Sequence, residues 1–480
     1  MGIYQHLYHN WTVLEKNAVE IDGESISYAE LHRKVLCFGA WLSHRGIEPG
    51  DVVVVQLPKS IPLLQILLGS MAYGATILPL NDRYTAAEAS FYVDDAQAKM
   101  VISLGIHSDE RYVSLDDMQR ELADIEPLTS LPAVADSSCA ILLYTSGTTG
   151  KPKGAMISHT NIKAVVEGLA TAWHFSAEDR LLHVLPLFHV HGLFVAQFVA
   201  LYVNSTSVWM IKFEENACLA ALRNCEISVF MAVPTLYYRL LSLSGRYVFP
   251  HLRLCTSGSA PLPVSIHSAF EDRFGQRILE RYGMTEVGIV LSNPYSGERR
   301  AGFVGFPVSE ASFRIVNPHT MTDVSPGEVG ELWISGPSVI QAYLRRPEQT
   351  AQTIVGKWLR SGDLASRSED GYYKIAGRAK DLVISGGMNI YPLEIEAVFL
   401  EIPEVAQAAG VGIPCEEWGE RFVMVLILNR PIDKEQLFQI AKAQLSSYKR
   451  PKEYVFVDDF PRNAMGKVQK EKIRRSLLKR

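Results

Sequence analysis

Short apolar runs alternate with helix-patterned stretches along most of this chain, and that alternation restricts it to layered α/β architecture. "DVVVVQL" (51–57) reads as a strand, "IPLLQILLGSMAYG" (61–74) as the helix after it, and "ATILPL" (75–80) as the next strand. "SVWMI" (207–211), "ISVFMAVP" (227–234) and "LRLCTSGS" (252–259) are further strands. Their near-continuous apolar character predicts sheets covered on both faces. From about residue 325 the pattern changes to hairpins with Gly-rich turns, "GEVGELWISG" and "GYYKIAGR". After "GRAKD" comes a compact β/α series: "LVISGGMNI", the helix "PLEIEAVFLEI", the strands "QAAGVGIP" and "FVMVLIL", and the helix "KEQLFQIAKAQL". The expectation is an α/β protein. A large N-terminal domain of layered mixed sheets and helices (1–378) precedes a small, mobile α+β domain (379–480).

The 480 residues are 48% hydrophobic and 21% charged, an ordinary composition for a chain with a large core. A net charge of −5 argues against nucleic acid and anionic membrane as partners. The six cysteines form no C-x-x-C pair, so neither a zinc site nor a disulfide framework is expected. "MGIYQHLYHN" reads as no signal peptide, which predicts a cytoplasmic home. Residues 60–81 and 181–211 lack charged side chains, but prolines, glycines and histidines break both. A membrane span wants about twenty mainly apolar residues without such breaks, so both read as buried helix followed by buried strand. The basic tail "KVQKEKIRRSLLKR" spaces Val468, Ile473, Leu477 and Leu478 as a docked helix with solvated cations.

One loop has the grammar of an anion trap. In "LLYTSGTTGKPKGAMISH" (142–159), Thr145, Ser146, Thr148 and Thr149 supply hydroxyls, and Gly147, Gly150 and Gly154 let backbone amides approach closely. Lys151 and Lys153 supply charge. It is not the P-loop of nucleotide triphosphatases: Gly147 and Gly150 are too close, and Pro152 stands where the hydroxyl should be. A plain Gly/Ser/Thr turn would share the composition, but the flanking strand and helix patterns favour a ligand loop.

No G-x-S-x-G, H-E-x-x-H, G-x-G-x-x-G or H-R-D pattern occurs. Instead, polar clusters recur between apolar elements: "PLFHVHG" (186–192), "TSGSAPL" (256–262), "RYGMTEVG" (281–288), "SGDLA" (361–365), "GRAKDLVISGGMNIYPLEIE" (377–396) and "PRNAMGKVQK" (461–470). With the anion loop, this ordered set resembles the adenylate-forming superfamily of acyl-CoA synthetases, adenylation domains and luciferases, over nearly the whole chain. "PLFHVHGLFVA", "ILERYGMTE", "SNPYSGERRAGFVGFP" and "GRAKDLVISGGMNIYP" look most like malonyl-CoA synthetases.

The resemblance implies ATP, Mg2+ and coenzyme A acting on a small carboxylate through an acyl-adenylate. The loop Thr145, Ser146, Gly147, Thr148, Thr149, Gly150 and Lys153 would clasp phosphates. Glu286 with Thr145 would hold magnesium, and Thr285 would donate to the α-phosphate. Tyr282 offers a ring to adenine, Asp363 two acceptors to ribose, and Arg378 a cation to ribose or phosphate. Ser259, Ala260, Pro261, Arg281 and Gly283 complete the implied nucleotide set. Lys467 would approach the α-phosphate, Lys380 would be the hinge, and Ser385, Gly386 and Gly387 would line the coenzyme A tunnel. His189, Ser259 and Arg299 are the acyl-site candidates, with Arg299 gripping a distal carboxylate and Arg300 the alternative. Each has a plainer reading: Tyr282 as core, Glu286 as a solvated helix residue, Asp363 as a cap and "YSGERR" as an exposed turn. Partners would be small molecules, with the protein a monomer or homodimer. Other short-chain or aryl carboxylates, or loading of a separate carrier protein, are the alternative functions.

Overall fold

The computed structural model describes residues 2–7, 11–105, 109–146, 152–462 and 468–479. Four sheets carry the fold. In the seven-stranded sheet, Val52–Gln56 lies between Thr76–Pro79 and Met100–Ser103 and parallel to both. Thr76–Pro79 is followed by the antiparallel hairpin Cys139–Ser146/Pro152–Ser158, and Ala342–Tyr343 closes that edge. The nine-stranded sheet runs in parallel through Ile278–Met284, Leu254–Ser257, Val229–Ala232, Arg180–His183, Thr206–Trp209 and Asn17–Ile21. Antiparallel strands finish both of its edges. The apolar strands are buried along their length, as their composition predicts: Val53, Val54 and Val55 are all 0% exposed.

Local signals place the helices. Ser60 caps Ile61–Tyr73 by accepting from the Leu63 amide, and Gly74, at φ 94°, ends it and turns the chain into Thr76–Pro79. The uncharged stretch 181–211 departs from a simple helix-then-strand reading. It contains the end of Arg180–His183, a π-helix His191–Phe198, the short helix Val199–Tyr202 and the strand Thr206–Trp209. Among the described residues no helix is long and apolar enough to cross a membrane.

A third sheet joins Ser312–Val316, Gly330–Ser335 and Trp358–Arg367, with Tyr373–Arg378 antiparallel to the last. Its core merges with that of the two large sheets, and the merged cluster ends at Tyr373 and Ile375. A separate core begins at Val383 and lies on the fourth sheet, built from Val383–Ser385, Met388–Ile390, Val405–Cys415, Gly419–Leu428 and Glu453–Phe456. The helix Lys470–Leu478 docks there through Ile473, and ion pairs Lys470–Glu396 (2.5 Å) and Arg474–Glu420 (3.2 Å) flank that contact.

Candidate active site

The hairpin strands Cys139–Ser146 and Pro152–Ser158 carry the two described ends of the anion-loop sequence, and their register pairs Tyr144 with Gly154 and Thr145 with Lys153. Gly147, Thr148, Thr149, Gly150 and Lys151 lie outside the described residues, as do the Ser146 side chain and Lys467. What is described at the base is specific. Thr145 Oγ1 lies 3.5 Å from Glu286 Oε1, and the Tyr343 hydroxyl donates to the same oxygen at 2.8 Å. Lys153 Nζ sits 3.7 Å from the centre of the Tyr343 ring. Burial lowers the Lys153 pKa, against the opposing pull of Glu286. Glu286 is buried at 4% exposure in the turn after Ile278–Met284, not on a solvated helix. A carboxylate beside a hydroxyl suits a hard cation that takes oxygen ligands. Glu286 and Thr145 therefore fit magnesium.

Tyr343 was not legible as a site residue. Strand pairing brings it in: Ala342–Tyr343 lies antiparallel to Ala155 and Met156, which puts the Tyr343 ring against Lys153.

A second cluster gathers Tyr282, Asp363 and Arg378. Asp363 is 3% exposed. Its Oδ2 accepts from the Tyr282 hydroxyl at 2.5 Å, and its Oδ1 lies 2.7 Å from Arg378 Nε. Asp363 and Arg378 are cross-strand partners, so sheet register alone brings them together. Burial raises the Tyr282 pKa well above its ordinary value, and the Asp363 charge adds to it. Tyr282 stays a neutral donor. Thr285 lies half-buried in the neighbouring turn, while Ala260 and Pro261 are exposed on the loop after Leu254–Ser257.

The third cluster surrounds Ser259. Its backbone is held at φ +69°, an unfavourable conformation for a side-chain-bearing residue, and its Oγ lies 3.2 Å from His191 Nδ1. His191, 5% exposed, opens the π-helix His191–Phe198; such helices are rare and frequently mark functional sites. Burial, helped by the nearby Arg281, holds the His191 pKa well below 6.5, so its ring is neutral. Arg281 is 3% exposed, and its Nε and Nη2 have no hydrogen-bond partner among the described residues. A Cβ built on Gly258 would stand 2.3 Å from Arg281 Nη1, so glycine is what lets this guanidinium lie against the loop. Burial pushes its pKa from 12.5 down to about 9. His189 is near enough to lower the His191 pKa further, and its ring lies 4.5 Å from that of Phe188.

Arg299, the candidate for gripping a distal carboxylate, has two of its nitrogens on backbone carbonyls. Its Nη1 donates to the Arg277 carbonyl at 2.6 Å and its Nη2 to the Tyr295 carbonyl at 3.0 Å, so it braces a loop. Arg300 pairs with Glu298 (3.0 Å) and Asp370 (2.8 Å). Among the described residues, the buried cation beside Ser259 with two unbonded nitrogens is Arg281, which the resemblance assigned to the nucleotide. Lys380 stands exposed in the one-turn 3-10 helix Ala379–Asp381. Gly386 (φ 57°) and Gly387 (φ 78°) form a two-residue hairpin turn that requires positive φ at both positions. The Gly386 amide donates to the Trp418 carbonyl at 2.8 Å.

Comparison with known proteins identifies the family and the fold. The AMP-binding enzyme family matches residues 9–344, and the AMP-binding enzyme C-terminal domain matches residues 394–467. ATP-bound MatB from Rhodopseudomonas palustris is 35% identical, with a TM-score of 0.94 and 99% of each chain covered. The apo form of the same protein gives 0.84, so the arrangement here is nearer the ATP-bound one. A feruloyl-CoA synthase of Amycolatopsis sp is 33% identical, covering 95% of both chains. A mitochondrial malonate–CoA ligase of Mus musculus is 32% identical, covering 94% of this chain and 87% of the relative. A sulfoacetate–CoA ligase of Cupriavidus necator is 33% identical, covering 94% and 92%. With both family models matched in order and acyl-CoA ligases similar over its whole length, the chain belongs to the AMP-binding enzyme family, among its acyl-CoA ligases.

Proposed function

We propose that this ligase joins malonate to coenzyme A, consuming ATP and releasing AMP and pyrophosphate. The observation that carries the dicarboxylate is Arg281, a buried guanidinium with unpartnered nitrogens beside Ser259 and His191. A monocarboxylate would leave that cation unpaired, whereas a second anionic group at the far end of the acyl chain would pair with it bidentately. Two of the similar proteins, the malonate and sulfoacetate ligases, are named for acids with such a second anion. The feruloyl-CoA synthase is not, so Arg281 rather than overall similarity supports the choice.

In this reading the reacting carboxylate is already ionised at neutral pH and needs no base. It attacks the α-phosphorus, the bond to the bridging oxygen breaks, and pyrophosphate leaves. The sulfur of coenzyme A then attacks the acyl carbonyl carbon, and AMP leaves with the oxygen that joined them. The loop from Thr145 to Lys153 surrounds the terminal phosphates with hydroxyls, amides and one ammonium. Thr285 donates to the α-phosphate, and Asp363 accepts from the ribose hydroxyls with Arg378 beside it. The Tyr282 ring faces adenine, and the Ser259–Pro261 loop borders both nucleotide and acyl group. Glu286 and Thr145 would hold a magnesium ion, whose charge offsets that of the phosphate oxygens. Lys467 approaches the α-phosphate for the first half-reaction. The parts 1–378 and 379–480 then pivot at Lys380, bringing the Gly386–Gly387 turn to the pantetheine chain for the second.

The test is a panel of malonate, methylmalonate, sulfoacetate, propionate and 4-coumarate, read by AMP release with and without free coenzyme A. Malonate should give the highest kcat/KM, with sustained turnover only when coenzyme A is present. Preference for an acid lacking a second anion would end the malonate reading, and turnover indifferent to coenzyme A would favour transfer to a carrier protein.

A further inference from the structure

Lys59 follows the strand Val52–Gln56 of the seven-stranded sheet, yet its ammonium is buried against the end of the nine-stranded one. Nζ lies 2.6 Å from His183 Nδ1, donates to the His183 carbonyl at 2.6 Å and reaches the Met210 carbonyl at 3.5 Å. The Trp209 ring is 5.1 Å away. All these partners are neutral acceptors. His183 ends Arg180–His183, is 1% exposed, and places Nε2 2.8 Å from the Gly192 carbonyl. A carbonyl can only accept, so Nε2 carries the proton and Nδ1 is the lone pair that Lys59 donates to. Lys59 thereby selects one tautomer, and that tautomer pins the first turn of the π-helix His191–Phe198. The residue beside the pinned carbonyl is His191, whose Nδ1 lies 3.2 Å from Ser259 Oγ.

We propose that Lys59 is a positioning residue for the acyl site. Through His183 it holds the start of the π-helix, and so sets His191 and Ser259 beside Arg281 without touching substrate. The proposal rests on reading the Ser259–Arg281 cluster as the acyl site, but it does not depend on which acid binds there.

The experiment measures steady-state kinetics of Lys59→Met in the full chain, with whichever acid of the panel the unmutated enzyme uses best. Removing this buried hydrogen-bond donor should raise KM for the acid about tenfold while leaving KM for ATP within about twofold. His183→Leu should reproduce that split. His183→Gln, which keeps a donor for the Gly192 carbonyl, should restore most of the acid KM. The double variant Lys59→Met/His183→Leu should be no worse than either single one, because both break the same chain. Should Lys59→Met fail to fold, the contrast between His183→Leu and His183→Gln decides the matter in its place. An unchanged acid KM, an equal rise in both KM values, or a fall in kcat alone would overturn the proposal. If malonate proves not to be the preferred acid, the substrate assignment fails while this test still reads out.

Discussion

Replacing Arg281 by methionine should make the protein more stable and nearly useless with malonate. The guanidinium's pKa falls from 12.5 to about 9 on burial. At 1.36 kcal/mol per pH unit, holding it charged at neutral pH costs on the order of 5 kcal/mol in the unliganded protein. Methionine has a similar reach and no charge, and replacing buried ionic groups by apolar side chains recovers about 1–4 kcal/mol in practice. In a chain of this length that should appear as a rise in Tm of roughly 2–6 °C. The same substitution leaves the far carboxylate of malonate buried without a partner, a loss of about 2–5 kcal/mol, or roughly 30- to 5,000-fold in kcat/KM. Propionate lacks that carboxylate and should lose no more than about threefold, the scale of a packing change. Differential scanning fluorimetry and pyrophosphate release measure the two halves. A variant less stable than the parent, with an unchanged malonate-to-propionate ratio, would make Arg281 a satisfied structural cation and rule out its role toward the substrate.

Glu280 is the pH-sensitive neighbour. It is 6% exposed, it accepts from the Leu262 amide at 2.9 Å, and burial raises its pKa from 4.5 to about 8. The folded protein keeps a proton that the unfolded chain loses between those values, so this group's stabilisation is full below pH 4.5 and declines as pH rises to about 8. Glu280→Gln should flatten that decline, raising Tm at pH 8 but not at pH 4.5; equal shifts at both would contradict it. Tyr343→Phe removes the hydroxyl from Glu286 but keeps the ring under Lys153. It should lower the adenylation rate about tenfold and raise the magnesium concentration required, as measured by ATP–pyrophosphate exchange. Lys467→Ala should abolish adenylation yet still convert a presynthesised acyl-adenylate to thioester; equal loss of both half-reactions would exclude the proposed role.

The sheets were legible because strands such as Val52–Gln56 and Val229–Ala232 are apolar on both faces, and the helices between them carry caps such as Ser60 and Gly74. The π-helix was not, since a run of buried residues has no polar face from which to read its period. At the site, Asp363 and Arg378 were identified as separate signatures, but their pairing is a matter of strand register. Between Arg281 and Arg299 the choice turned on which guanidinium keeps unbonded nitrogens, which a sequence does not display. Glu280 and Arg281 are consecutive in Ile278–Met284, so one side chain reaches the Leu262 amide while the other lies against Gly258, in the proposed acyl site. Arg299 sits in a loop, where no periodicity announces that two backbone carbonyls will take its donors. Lys59 gave no signal at all: a single lysine beside an uncharged stretch reads as a solvated flank.

Everything proposed for the substrate turns on a second anion meeting Arg281. A crystal structure of the protein with malonate and a non-hydrolysable ATP analogue tests it directly. One carboxylate should face the α-phosphate, and the other should lie within about 3.2 Å of the Arg281 guanidinium, in hydrogen-bond geometry. A distal carboxylate held by Arg299, or left in solvent with Arg281 still unpartnered, would contradict it.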